Sequence, residues 1–114
     1  MALCPLPRAP DWPTPLQLDQ AGLNTLRDDY KTTTKRTSNL KLDCLELHMT
    51  HRCLLHEFLS PVSNLRPEKY GGNVQKRAQF LLEIAALVRD KWPNDRILGA
   101  RVTGADWLTD GITV

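Results

Sequence analysis

The strongest hydrophobic pattern of the chain lies in residues 73–91, where apolar side chains recur three or four positions apart. This spacing places them on one face of an amphipathic helix. Asn73 is a suitable N-cap, and Trp92-Pro93-Asn94 is a stop signal because proline cannot continue a helix. The face is formed by Arg77, Phe80, Leu81, Ile84, Ala85, Val88 and Trp92. The pattern predicts a helix over residues 73–91.

Residues 20–38 carry a weaker helical pattern, and the segment before them is rich in proline. Five of the eight prolines fall in residues 1–19. Proline lacks a backbone N–H and forces its predecessor out of the helical region, so we predict an extended lead-in there. Asp19 can cap the following helix. The predicted organisation is a lead-in over 1–19 and one domain over 20–114.

Two short apolar runs predict β-strands. Residues 42–48 alternate only weakly, which favours a parallel strand covered on both faces. Residues 49–72 predict a long loop with one helical turn at 54–59, and residues 97–103 predict the second strand. The order helix–strand–helix–strand indicates two parallel strands joined by a crossover helix, and therefore an α/β fold.

The composition indicates a globular protein but does not indicate a function. The 114 residues are 41% apolar and 25% charged, which is typical of a globular protein. A net charge of +2 is too small to argue for nucleic acid or an anionic membrane as partner. Three cysteines and no feature of a secretory leader predict free thiols in the cytoplasm.

Candidate chemistry is concentrated where the first strand ends. His48, His51 and His56 are the only histidines of the chain, and Cys44 and Cys53 bracket the first two. Strands of α/β proteins commonly end in active sites. Three interpretations remain open from these residues alone. They could be metal ligands, satisfied polar side chains of a loop, or, for His48 and His51, a pair that stabilises developing negative charge on a substrate.

The same region resembles the old yellow enzyme family of NAD(P)H:flavin oxidoreductases. The resemblance is continuous from Leu45 to Arg77 and weaker over the rest of residues 20–114. Its residues are Glu46-Leu47-His48, His51, Leu54-Leu55-His56-Glu57-Phe58-Leu59-Ser60-Pro61, Ser63-Asn64, Arg66, Tyr70-Gly71-Gly72, Arg77 and Phe80-Leu81-Leu82-Glu83, with Arg27-Asp28-Asp29-Tyr30, Ala100-Arg101-Val102-Thr103 and Asp106-Trp107 beyond them.

The resemblance implies part of a (β/α)8 TIM barrel, with the fourth and fifth strands present. It also implies FMN as cofactor, NAD(P)H as reductant and a small electrophilic alkene as substrate. By the family's pattern, His48 and His51 hold the substrate oxygen, while Arg101 lies against the flavin. A complete barrel needs about 250 residues, so we expect an internal fragment of such an enzyme. The alternative is an inactive remnant or a non-enzymatic interaction module.

The chain departs from the family pattern at three informative positions. Arg52-Cys53 replaces the Gly-Tyr that follows the second histidine, so Cys53 stands where the family has its tyrosine acid. A thiol, with an unperturbed pKa of about 8.5, can donate a proton but has a shorter reach. Lys41 stands where the family has a glycine, which commonly closes a helix in the left-handed conformation.

Overall fold

A computed structural model describes residues 2–7 and 9–113. Two parallel strands pair side by side, and the helices follow in the predicted order. The elements are α1 (Gln20–Ser38), β1 (Cys44–Met49), α2 (Leu54–Leu59), α3 (Val74–Lys91) and β2 (Ile97–Val102). The predicted α/β architecture with two main helices is confirmed. None of the described helices combines the length and hydropathy that a membrane span requires.

Both predicted helix caps are present. The Asp19 side chain accepts a hydrogen bond from the Gly22 N–H at 2.8 Å, and the Asn73 side chain accepts one from the Lys76 N–H at 3.0 Å. Each bond satisfies a backbone donor that has no partner within the helix. These caps explain why α1 and α3 begin within one residue of their predicted starts.

The sheet differs from the prediction in its bounds and in its burial. β1 begins at Cys44, two residues later than predicted, and ends at Met49. Leu47 and Met49 are buried, whereas Cys44, Glu46 and His48 are exposed, so burial on both faces was a wrong prediction. The helices cover one face only. In a complete barrel the other face is the interior, which is filled by side chains from further strands.

The core lies between this sheet face and the helices. The Phe58 and Phe80 rings stack at 4.5 Å between centroids, and Tyr70 meets both rings edge-on. Ile84 and Val88 on α3 are fully buried beside them. The predicted apolar face of α3 is therefore the face that packs against the rest of the molecule.

The proline-rich lead-in is attached to this core, which its composition did not predict. Leu3 and Leu18 are buried, and the Ala2 segment runs beside Leu16–Leu18 through two backbone hydrogen bonds of 2.9 Å. The buried Arg66 guanidinium donates to the carbonyls of both Leu3 and Leu18. The backbone of two segments distant in sequence from Arg66 thus converges on its side chain.

The loop between α2 and α3 is organised by an asparagine. The Asn64 amide donates to the carbonyls of Phe58 and Tyr70, both at 2.6 Å. Gly71 follows at a point where a Cβ atom would lie 1.6 Å from the Arg66 carbonyl oxygen. Only glycine fits there, so this part of the sequence pattern preserves a close backbone approach.

Candidate active site at the carboxyl ends of the strands

His48 and Arg101 occupy directly paired positions on β1 and β2. Both side chains are exposed, and they stand on the sheet face that no helix covers. The Arg101 Nε donates to the Glu46 carboxylate at 2.9 Å. An imidazole and a guanidinium are therefore presented side by side at the carboxyl end of the sheet.

His51 lies in the turn that follows β1. Its backbone φ is 54° and that of Arg52 is 57°, so two successive residues without a glycine are left-handed. This turn brings the His51 ring to 5.2 Å from the His48 ring, centroid to centroid, with the planes tilted by 46°. The structure thus brings together the two histidines that the sequence paired.

A cleft of about 1110 Å³ opens at the same end of the sheet. Its walls come from the lead-in and from the loops after β1 and β2, and they include His51, Arg101, Asp106 and Trp107. Trp107 is 93% exposed, so a large apolar surface stands free at the rim. His48 and Cys53 are not among the residues that line this cleft. The cleft is large enough for a small planar ligand.

Two threonines join the strands where they end. The Thr50 and Thr103 hydroxyl oxygens lie 2.6 Å apart and share a hydrogen bond. Thr50 is buried, and both residues line the cleft. Since each threonine directly precedes the loop that carries site residues, their contact fixes the relative position of those two loops.

His56 is separated from the other two histidines. It is buried, and its Nε2 lies 2.8 Å from the Asp106 Oδ1. The other Asp106 oxygen accepts from the Ser60 hydroxyl at 2.7 Å and from the Ile112 N–H at 2.9 Å. Burial tends to raise the pKa of Asp106, but the hydrogen bonds from Ile112, Ser60 and His56 outweigh it and hold the pKa below its usual value.

Sequence reasoning missed this cluster around Asp106. Ser60 and Asp106 both belong to the motifs that carry the resemblance, but they lie 46 residues apart and neither was given a role. The available signal was a motif carboxylate placed just after the second strand. Pairing it with a histidine after the first strand needed the tertiary structure.

Cys53 is exposed at the N-cap position of α2, where its side chain makes no capping hydrogen bond. Burial first, and the charge of the nearby Cys53 second, raise the pKa of Tyr30 on α1. Tyr30 packs against the hydrophobic core. The exposed Cys53 thiol directly follows the His51–Arg52 turn in sequence and starts α2.

The metal interpretation finds no support in residues 2–7 and 9–113. No three side chains of His, Cys, Asp or Glu in these ranges converge closely enough to hold a metal ion. His48 and His51 converge as a pair, His56 is engaged by Asp106, and Cys44 and Cys53 are free thiols.

The residues present do fit one edge of a flavin. Arg101 offers a cation at the open end of the sheet, where it can offset negative charge on a bound ring system. His48 and His51 stand next to it and can donate N–H groups to an oxygen of a second ligand. The phosphate site of such barrels is usually built after the seventh and eighth strands, so this section of the chain would hold the ring and not the phosphate.

Comparison with known proteins agrees with this chemistry. Residues 12–114 match the sequence model of the NADH:flavin oxidoreductase / NADH oxidase family. An NADH:flavin oxidoreductase of Gibberella zeae is 37% identical over 96 residues, covering 84% of this chain and 23% of the relative. An NADPH dehydrogenase of Geobacillus thermodenitrificans is 35% identical over 102 residues, covering 90% and 29% respectively.

A solved structure shares the fold as well. Morphinone reductase in complex with tetrahydroNAD superposes with a TM-score of 0.77 at 28% identity, covering 90% of this chain and 28% of that protein. The chain therefore spans between about a fifth and a third of the length of these relatives. FMN and a nicotinamide nucleotide are the cofactors of such oxidoreductases. The chain belongs to the NADH:flavin oxidoreductase / NADH oxidase family and corresponds to part of its TIM barrel.

Proposed function

We propose that this chain forms the substrate-binding and flavin-facing section of an FMN-dependent NAD(P)H oxidoreductase that reduces activated alkenes or related electrophiles. The observation that carries the proposal is the convergence of His48, His51 and Arg101 at the carboxyl ends of the two strands. Active sites of TIM barrels lie at this end. The chain accounts for only part of a barrel, so the activity proposed is that of the completed one.

His48 and His51 would bind the carbonyl or nitro oxygen of the substrate. Each imidazole can donate one N–H, and two donors from neighbouring rings can reach the same oxygen. These bonds strengthen as negative charge develops on that oxygen during reduction. They would also orient the substrate so that its β-carbon faces the cofactor.

Arg101 would act on the cofactor side of the same site. The chemistry that a bound FMN would supply here is hydride transfer between NAD(P)H and the β-carbon of the substrate. The guanidinium of Arg101 can stabilise the negative charge of the reduced ring system. The Arg101 Nε donates a hydrogen bond to the Glu46 carboxylate at 2.9 Å, and this contact orients the Arg101 side chain along the sheet face.

Reduction of the alkene also needs a proton at the α-carbon. Cys53 occupies the position of the family's tyrosine acid, and we propose it as the donor of this section. A thiol reaches less far from the backbone than a tyrosine phenol, and Cys53 does not line the cleft. A slow protonation step follows from both properties.

We propose that the partners are small molecules, an electrophilic alkene and NAD(P)H, and that the protein acts in the cytoplasm. Morphinone reductase binds tetrahydroNAD, which supports a nicotinamide nucleotide as the reductant. We also propose that residues 20–114 are the oxidoreductase section and that residues 1–19 are a lead-in attached to it through Leu3 and Leu18.

A chimera tests the function directly. The matching section of the Geobacillus thermodenitrificans NADPH dehydrogenase would be replaced by this chain, and NADPH consumption would be followed with an α,β-unsaturated ketone. We expect bound flavin absorbance and a measurable, slowed turnover. A chimera that binds FMN but reduces no alkene would refute the proposed activity. The isolated chain, titrated with FMN, reports how much cofactor affinity this section carries.

An inactive remnant or a non-enzymatic interaction module is the second candidate. The exposed face of β1 and the replacement of the tyrosine acid by Cys53 favour it. It predicts that the isolated chain unfolds cooperatively without flavin and that the chimera stays inactive even after Cys53→Tyr.

A further inference from the structure

A partly buried chain of hydrogen bonds links the loop after β1 to the loop after β2. The Arg52 backbone N–H donates to the His56 Nδ1 at 2.7 Å. The His56 Nε2 lies 2.8 Å from Asp106, whose carboxylate also accepts from Ser60 and from the Ile112 N–H. The side chains of His56 and Asp106 are only 7% and 5% exposed.

These contacts fix the protonation of the His56 ring. A backbone N–H can only donate, so the Nδ1 that receives it carries no proton. The Nε2 must then carry the proton of the neutral ring, and this N–H donates a hydrogen bond to the Asp106 carboxylate. A protonated Nδ1 would face the Arg52 N–H with two hydrogens directed at each other.

The His56 ring contacts a backbone turn, His51–Arg52, that has an unfavourable conformation. His51 and Arg52 are both left-handed, a conformation that residues with a Cβ adopt only where surrounding contacts stabilise it. The hydrogen bond from the Arg52 N–H is made in the middle of this turn. It therefore constrains the residue that directly follows His51.

We propose that His56, as its neutral Nε2–H tautomer, is a positioning residue that fixes the left-handed His51–Arg52 turn and anchors it to Asp106 in the loop after β2. The His51 ring is thereby held beside His48. The consequence for substrate binding rests on the function proposed for His51, whereas the tautomer and the turn do not. Ser60 donates to Asp106 and not to His56, so the three side chains are not arranged as a hydrolytic triad.

The wild-type chain gives the first test. The ¹⁵N chemical shifts of the three imidazoles, measured by long-range ¹H–¹⁵N correlation at neutral pH, report which ring nitrogen carries the proton. We expect a pyrrole-type Nε2 and a pyridine-type Nδ1 for His56, with a single tautomer populated. A His56 ring protonated at Nδ1, or exchanging between tautomers as free histidine does, would overturn the proposal.

Two variants of His56 test the hydrogen bonds of its two ring nitrogens separately. In His56→Gln the side-chain amide nitrogen lies near the former Nε2 and can still donate to Asp106, but the acceptor for Arg52 is lost. In His56→Asn the side-chain oxygen lies near the former Nδ1 and can still accept from Arg52, but the bond to Asp106 is lost. We expect amide exchange of Arg52 to accelerate at least tenfold in His56→Gln and to change little in His56→Asn.

The same pair of variants links the turn to function. In the active chimera, His56→Gln should raise KM for the alkene more than His56→Asn does, because the His51 ring is no longer held. Unchanged Arg52 exchange in a folded His56→Gln chain would refute the positioning role. An inactive chimera would count against the proposed function alone, since the tautomer and amide exchange are measured without flavin.

Discussion

His48 on β1 and Arg101 on β2 are register partners, and both point to the uncovered face of the sheet. Neighbouring parallel strands lie about 4.8 Å apart, so the imidazole-bearing residue and the guanidinium-bearing residue stand within one strand spacing of each other. The relationship depends on the pairing register. A slip of one residue would turn one of the two side chains to the helix-covered face.

Replacing His48 by alanine in the chimera should weaken substrate binding and slow reoxidation of the flavin by alkene. Removal of one donor to a developing oxyanion costs roughly 3 kcal/mol, a rate loss of about a hundredfold or more. Stopped-flow measurement of flavin reoxidation gives the rate constant. Cys44→Ala changes a residue on the same sheet face at the opposite end of β1 and serves as control. Equal rate constants for His48→Ala and this control would contradict the role of His48.

Replacing Cys53 by tyrosine should speed alkene reduction if protonation limits turnover. The Cys53 side chain makes no capping hydrogen bond, so α2 does not depend on it. Cys53→Phe fills similar space without the hydroxyl and is the matched control. We expect turnover to rise with tyrosine and not with phenylalanine. If both variants turn over at the rate of the unmodified chimera, a donor other than residue 53 supplies the proton.

Replacing Lys41 by glycine should stabilise the chain. Lys41 has a φ of 56°, where a residue with a Cβ is disfavoured by about 1–2 kcal/mol and glycine is not. The extra freedom of glycine in the unfolded state offsets about 0.5–1 kcal/mol of this gain. We expect a net increase of about 0.5–1 kcal/mol in the free energy of unfolding, measured with urea. Lys41→Ala removes the same side chain but keeps the Cβ, so a gain equal to that of glycine would contradict the backbone explanation.

Replacing Asp106 by alanine should destabilise the chain more than replacing it by asparagine. Alanine leaves the donors of His56, Ser60 and Ile112 without an acceptor, and each buried unpaired group costs about 1–3 kcal/mol. Asparagine retains one acceptor oxygen. Urea unfolding at neutral pH measures both differences. Equal losses for the two variants would show that the carboxylate contributes by its charge alone.

The stability difference between wild type and Asp106→Asn should depend on pH. The pKa of Asp106 is lower in the folded chain than in the unfolded one, where an aspartate has a pKa of about 3.9. Its contribution is therefore complete above that value and is lost as pH falls through the folded-state pKa. Glu83 and Asp90 also have lowered pKa values, but they are common to both proteins. A difference that stays constant down to pH 2 would contradict a lowered pKa for Asp106.

Local signals in the sequence were sufficient for the helices and for the motif residues. Asp19 and Asn73 cap the helices that their spacing predicted, because a cap is a contact between residues three apart in sequence. The short helical turn at 54–59 coincides with α2. The parallel pairing of the two strands also followed from element order, since a crossover helix leads back to the same end of the sheet.

Contacts between residues far apart in sequence could not be predicted from local sequence signals. The attachment of Leu3 to Arg66 crosses 63 residues, and the bond between His56 and Asp106 crosses 50. No periodicity or local spacing encodes which distant partner a polar side chain will meet. The exposed face of β1 was missed for a related reason, because an apolar run does not record how many layers pack against it.

The sequence by itself determined the family and the order of the elements, since motifs and local spacing carry both. It also marked His48 and His51 as candidate site residues by their position after a strand, and the resemblance to the family added Arg101. The tertiary structure alone decided where these residues stand relative to one another. Register set His48 beside Arg101, and the left-handed turn brought His51 to His48. The contact with Asp106 keeps His56 apart from the His48–His51 pair, because burial requires its ring nitrogens to be hydrogen-bonded.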